Sequence, residues 1–301
     1  MPSDNTENVR ERFSLSGEAE MWDGMYREAS NTFQYHMLLR RNNALSYIAE
    51  HHPTSVSLLD LGCGAGVLTE ELLKKGYRTH AVDISMDMLR LAEMRCSAFP
   101  EGEYLLAQGE CFHLPFRDAQ FDLVVCLGMF GYFKESDLAL QEINRVLRPG
   151  GTLILSVRNK YHEVLTDPLL SVKKVIAKIS QGFSRGKPRG KPVAGSPSLK
   201  APEDRPTGAH ANASAISGSN FMIRMFEKPG YLIAGVTRNG YDLTQMDGIG
   251  YGSLRLFGKP VIPEKVSISL SRFFERIFRK TRLHYLTRWI ADVTTYVFIK
   301  S

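Results

Sequence analysis

The segment Leu58-Leu59-Asp60-Leu61-Gly62-Cys63-Gly64-Ala65-Gly66 constrains this chain more than any other. Its apolar start reads as a buried strand, its glycines as a tight turn, and the stretch from Val67 to Lys75 as a helix. Without a Cβ, glycine reaches backbone angles closed to other residues and lets a ligand approach the main chain. The helix that follows aims free N–H groups and the positive end of its dipole at the same spot. Taken alone, such a turn also fits a plain strand-to-helix connection. Asp83 adds an independent feature. It ends the next apolar run about 20 residues on, where a carboxylate at the tip of a neighbouring strand accepts hydrogen bonds from a ribose. The glycines stand at 62, 64 and 66, and Val67 occupies the place of the third glycine of a G-x-G-x-x-G turn. That departure disfavours a nicotinamide dehydrogenase.

Around this segment the pattern alternates. Apolar strand-like runs occur at Val56 to Leu61, Thr79 to Ile84 and near Tyr104, Phe121 and Thr152, with helical stretches at Val67 to Lys75 and Met86 to Ala98. A βαβ series of this kind builds a parallel sheet with helices on both faces. Residues 1 to 19 are polar and read as a mobile tail, and Glu20 to Glu50 has the apolar spacing of two helices. Further on, Phe226 to Asn239 reads as a helix, Tyr241 to Met246 as a strand, Glu264 to Ile290 as a basic amphipathic helix, and Thr294 to Ile299 as a β-branched closing strand.

The 43% hydrophobic content of the 301 residues supports a folded core. The net charge of +6 is local: residues 160 to 220 hold ten Lys or Arg against four Asp or Glu, an excess equal to that of the whole chain. Within that region, Gly182 to Gly218 is dense in Gly, Pro, Ser and Lys and poor in large apolar residues, the composition of a flexible insertion. Cys63, Cys96, Cys111 and Cys126 lack the spacing of metal ligands and read as reduced intracellular thiols, so no metal is expected. The most apolar run, Phe121 to Phe133, falls short of the roughly 18 residues of a membrane span.

Five segments in order resemble the successive motifs of class I S-adenosylmethionine (SAM)-dependent methyltransferases: Leu58 to Gly66, Val82-Asp83-Ile84-Ser85, Gly109-Glu110 with Leu114-Pro115-Phe116, Phe121 to Val125, and Arg145 to Gly151. The similarity is greatest to the small-molecule, quinone-biosynthesis-like enzymes with a type 11 methyltransferase domain, and spans Val56 to Val157. It implies an α/β fold of Rossmann type, a doubly wound, mostly parallel sheet with an antiparallel closing strand, N-terminal helices and a flexible insertion. The domains expected are 1–50 as tail and lid helices, 51–160 as the SAM-binding core, 161–220 as the basic insertion and 221–301 as the C-terminal part.

The resemblance also implies site residues. Asp60, Gly62, Cys63, Gly64, Ala65 and Gly66 would line the methionine part of SAM. Asp83 and Ile84 would hold the ribose and one adenine face, and Glu110 and Cys111 would meet the adenine edge, with glutamate standing where the family usually has aspartate. Leu127 would pack near the sulfonium. Trp22 and Tyr26 are lid candidates. The loop Gly128 to Phe133 lacks the histidine found in many relatives, which leaves Tyr132, His36, His162 and Asp247 as candidates for an acceptor's proton.

The expected activity is methyl transfer to a small-molecule or lipid-linked acceptor, at an oxygen, in the cytoplasm or at the inner face of a membrane. A nucleic-acid methyltransferase is disfavoured, because the basic stretch lacks aromatics interleaved for base stacking. A non-catalytic SAM-binding protein is the other rival. The amphipathic helix from Glu264 has two fates: its apolar face packs in the core, the usual outcome, or it meets an anionic bilayer beside its basic residues.

Overall fold

Strand β1 (Leu58–Leu61) is wholly buried, and its side chains alternate between the two faces of a sheet. Leu59 and Leu61 join one core with Val124, Ile143 and Leu153. Leu58 joins the other with Ala44, Ile48, Leu68 and Leu72. Each fully buried leucine contributes about 2 kcal/mol by removing apolar surface from water.

The computed structural model describes residues 4–14, 17–26, 29–133, 136–159, 229–249, 255–256, 259–260, 262–280 and 291–301. In chain order they form α1 (Asp4–Phe13), α2 (Glu18–Gly24), α3 (Thr32–His51), β1, α4 (Val67–Lys74), β2 (Thr79–Asp83), α5 (Met86–Cys96), β3 (Tyr104–Gln108), β4 (Phe121–Leu127), α6 (Ser136–Val146) and β5 (Leu147–Arg158). After these come α7 (Pro229–Arg238), β6 (Tyr241–Ile249), the two short strands β7 (Arg255–Leu256) and β8 (Lys259–Pro260), α8 (Glu264–Lys280) and β9 (Val293–Lys300). The insertion expected at 161–220 lies outside the described residues.

The seven-stranded sheet has the order β3-β2-β1-β4-β5-β9-β6. Its first five strands run parallel, and β9 lies antiparallel between β5 and β6. The doubly wound sheet with an antiparallel closing strand is therefore present. The chain reverses direction across the sheet between β1 and β4, and crevices open at the strand carboxyl ends of such switch points.

Three elements depart from the sequence reading. Residues 4–13, read as part of a tail, are helix α1. Its end is tied down by Ser85, whose hydroxyl donates to the Phe13 carbonyl at 2.9 Å while also capping α5. Helix α6, with Ala139, Leu140, Ile143 and Val146 buried at helical spacing, fills a stretch to which no element was assigned. Finally, α8 does not bury its apolar face. Val266, Leu270, Phe273, Phe274 and Ile277 are all exposed.

Gly66 shows how the glycine turn serves the fold. It adopts a φ of +75°, and a Cβ there would lie 2.8 Å from Ala92 Cβ and 2.9 Å from its Cα. Helix α4 thus begins pressed against α5. Gly66→Ala combines left-handed strain with a backbone clash and is expected to cost about 2–3 kcal/mol. Gly64→Ala, whose Cβ meets nothing within 4 Å, should cost only the strain, about 1 kcal/mol. Thermal unfolding of the two variants checks this, and equal losses would remove the packing argument.

Candidate active site

A cavity opens at the switch point. Its floor is the turn after β1 and the ends of β2 and β4, and its wall is α3 with α1 and α2 across the mouth. The turn is pinned to β2 because Gly62 and Cys63 both donate to the Val82 carbonyl, at 2.8 and 3.1 Å. Of the residues expected to bind a cofactor, Asp60, Gly62, Cys63, Gly64, Ala65, Asp83, Ile84, Glu110, Cys111 and Leu127 line the cavity. Gly66 does not, because its place is against Ala92. The lid candidates Trp22 and Tyr26 line it too. So does Phe13, whose ring meets Tyr132 edge-on at 5.4 Å and Trp22 at 6.0 Å. Arg10 on α1 pairs with Glu110 at 2.5 Å, so the helix closes over the side of the pocket that Glu110 occupies.

Among the proton-accepting candidates within the described residues, only Tyr132 reaches the cavity. His36 is buried on α3, 1% exposed, with Nδ1 at 2.8 Å from Asp292 Oδ2. Arg158, which does line the cavity, donates from Nη2 to Asp292 Oδ1 at 3.0 Å. His36 therefore stands behind Asp292 and helps to hold Arg158 in place, instead of facing a ligand. Asp247 lies on the edge strand β6, paired with Gln245 at 2.6 Å, away from the cavity. His162 lies outside the described residues.

The electrostatics of the cavity are unbalanced in a specific way. Burial pushes Asp60 up to about 7, with the charge of Asp83 adding to the rise and the Thr69 hydroxyl, at 2.7 Å, opposing it. Burial also raises Asp83, against the N–H groups of Ser85 and Gly64 that donate to it at 2.9 and 2.8 Å. Neither carboxylate has a cationic partner among the described residues.

Arg40 is the converse. Only 6% exposed, it reaches the Tyr26 hydroxyl from Nη2 at 2.6 Å and has no carboxylate partner among the described residues. Its guanidinium fills the space that a Cβ of Gly128 would take, so the glycine after β4 is what admits it. Burial raises the thiols of Cys63 and Cys126 well above their usual range, so neither is a thiolate nucleophile at neutral pH.

Sequence reasoning missed Arg40, Arg158 and Asp292. A signal existed for Arg40: it interrupts the stripe Phe33, Met37, Ala44 at helical spacing, an arginine where an apolar residue is expected. The bridge from His36 to Asp292 spans 256 residues of sequence, and no local pattern announces it.

A crevice at a topological switch point, with carboxylates near the ends of β1 and β2, defines a Rossmann-type cofactor-binding domain. Residues 59–155, about a third of the chain, match the family model described as a methyltransferase domain. The chain is 26% identical over 199 residues to a ubiquinone biosynthesis O-methyltransferase of Methylococcus capsulatus, covering 65% of this chain and 67% of that protein. It is 34% identical over 128 residues to a malonyl-[acyl-carrier protein] O-methyltransferase of Pseudescherichia vulneris, covering 42% of this chain and 48% of that one. The crystal structure of magnesium protoporphyrin IX methyltransferase from Synechocystis PCC 6803 with bound SAH has the same fold. Its TM-score is 0.60 at 13% identity, over 99% of this chain and 100% of that one.

Asp292 is the acceptor on which His36 and Arg158 converge, and it also joins β5 to β9 through its carbonyl, which accepts from the Asn159 N–H at 2.8 Å. Asp292→Ala removes the acceptor that two donors share and is expected to destabilise the fold by about 2–3 kcal/mol. His36→Ala, which removes one donor and keeps the acceptor for Arg158, should cost less. Urea unfolding gives both values.

Proposed function

We propose that the chain binds SAM in this cavity and transfers its methyl group to an oxygen of a small or lipid-linked acceptor. The observation that carries the reading is the charge pattern of the wall: among the described residues, Asp60 and Asp83 have no cationic partner and the buried guanidinium of Arg40 has no carboxylate. SAM bears an ammonium, a sulfonium and a carboxylate, and is complementary to that pattern. Isolated buried charges are costly, so the ligand supplies the partners that the protein lacks.

In this reading Arg40 takes the carboxylate of the methionine part, and Asp60 with the turn from Gly62 to Ala65 faces its cationic groups. Asp83 accepts from the ribose hydroxyls. Ile84 packs on an adenine face, Glu110 and Cys111 lie at the adenine edge, and Leu127 lies near the sulfonium. The chemistry that SAM brings is a methyl group already activated for displacement.

What the protein adds is position and dryness. Phe13, Trp22, Phe33 and Phe133 line the cavity and keep water from an aligned acceptor, and alignment at near-attack distance supplies most of the rate. Tyr132, which lines the cavity, would in this reading relay the acceptor's hydroxyl proton, taking it up as it passes its own to solvent. Oxygen as the acceptor atom is supported by the names of the two relatives above, both O-methyltransferases. The aromatic wall favours a flat, largely apolar acceptor.

Asp83→Ala removes a charged acceptor from two hydroxyls and should weaken SAM binding by about 2–4 kcal/mol, on the order of 30-fold to 1000-fold. Calorimetric titration measures it, and unchanged affinity would take Asp83 out of the site. Incubation with methyl-labelled SAM and fractionated cell extract then tests transfer. Label confined to nucleic acid, or no label in any fraction, would sink the small-acceptor reading.

A pH dependence also follows. The ionised form of Asp60 is the one that attracts a cation, and its value near 7 leaves it partly protonated at neutral pH. Binding must then expel a proton, so SAM affinity should fall by up to about tenfold per pH unit below 7 and level off above 8. Asp60→Asn should bind more weakly at high pH and show a flatter profile between pH 8 and 6. A wild-type profile that is flat across that range would remove Asp60 from contact with the cationic groups.

A further inference from the structure

Helix α8 is attached to the protein by its polar side. Ser267 and Ser271 are buried with Ile268 between them, and Glu264 accepts from the Thr32 N–H at 2.8 Å and from the Thr32 hydroxyl. About three turns further along, Glu275 accepts from the Tyr35 hydroxyl at 3.1 Å. Both Thr32 and Tyr35 belong to α3. The opposite side, Val266, Leu270, Phe273, Phe274 and Ile277, recurs at i, i+4, i+7, i+8 and i+11 and is between 36% and 56% exposed. Soluble proteins normally turn such a stripe inward, and a contiguous exposed one marks an interaction site.

The charges say what the stripe meets. Glu264 and Glu275, the two acids of the helix, both point at α3. Lys265, Arg272 and Arg276 are exposed along one flank of the stripe. The outward surface of α8 therefore offers apolar and aromatic side chains beside cations, with no acid among them. An anionic bilayer is complementary to that surface: the stripe enters the acyl boundary and the cations meet lipid phosphates. Seventeen residues make a rod of about 25 Å, suited to lying flat, and no helix among the described residues is long and apolar enough to cross a membrane.

We propose that α8 is a membrane-docking helix that binds flat on an anionic lipid surface through this stripe and its basic flank. Because α3 holds α8 and also contributes Phe33, Met37, Arg40 and Arg41 to the cavity, docking sets the cavity about one helix diameter, roughly 10 Å, from the bilayer. Given the reading of that cavity as the site of methyl transfer, its acceptor enters from the lipid phase.

The test is flotation of the full chain with vesicles of phosphatidylcholine alone or mixed with phosphatidylglycerol, at low and high salt, with SAM titrated into the same preparations. Binding at least tenfold stronger to the anionic vesicles at low salt, and lost at high salt, is expected. K265E/R276E and F273S/I277S alter exposed positions, and Arg272 is left in place because its guanidinium packs over the Tyr35 ring at 5.3 Å. Each should lower vesicle binding at least tenfold while unfolding temperature and SAM affinity stay unchanged. Wild type left unbound beside anionic vesicles at low salt would overturn the proposal, as would vesicle binding that neither variant weakens. A dimer in sedimentation that F273S/I277S dissociates, without vesicle binding, would assign the stripe to a second copy of the chain and overturn it equally. Vesicle binding needs no catalysis, so loss of SAM binding would count against the methyl-transfer reading alone.

Discussion

Strand β1 is paired in parallel with β2 on one edge and β4 on the other, and this double pairing is the constraint on which the rest of the structure depends. It fixes the register that puts Asp60 opposite Ala81 and Val125. It also makes the chain leave β1 in a turn at the switch point, where the helices of the two halves diverge. The cavity exists because the sheet cannot be covered there. Residues at the ends of β1, β2 and β4 come together without any of them being near the others in sequence.

Helix α3 turns that opening into a chamber. One side of it enters the core through Ala44 and Ile48, and its N-terminal half presents Phe33, Met37 and Arg40 to the cavity. The same half holds α8 through Thr32 and Tyr35 and reaches Asp292, just before β9, through His36. A displacement of α3 would alter the pocket wall, the attachment of α8 and the support of Arg158 together. The polar pairs that fix it carry specificity of placement more than net stability, because burying charged groups gives back much of what their attraction gains.

The unsatisfied charges inside the cavity and the apolar stripe outside are opposite departures from one rule. Proteins pair buried charges and bury apolar surface, and local violations tend to mark places that await a ligand or surface. Among the described residues, Arg40, Asp60 and Asp83 lack an ionic partner, and Val266, Leu270, Phe273 and Ile277 of α8 stay exposed. α1 qualifies the first departure, since the Arg10 to Glu110 pair lets the protein close over its own cavity.

The Leu58 to Gly66 turn, Asp83 and the βαβ alternation were legible because each depends on local chemistry: glycine angles, strand alternation and the spacing from one strand tip to the next. Those features determined the fold class, and the resemblance to class I methyltransferases indicated ten of the residues that line the cavity. Gly66 was assigned to the ligand because sequence gives the freedom of a glycine but not what its missing Cβ avoids, which here is Ala92. His36 and Asp247 were plausible by type, and only their positions behind and beyond the cavity removed them. The pattern of α8 likewise defined a stripe but not its direction. A helix can turn either side toward its neighbour, and Thr32 and Tyr35, more than 200 residues away, decided that the polar side faces inward. The sequence by itself determined the sheet, the turn and the carboxylate at the tip of β2. Tertiary structure alone decided the Arg40 wall, the Asp292 junction and the outward face of α8, because these depend on contacts between segments whose separation no local propensity records.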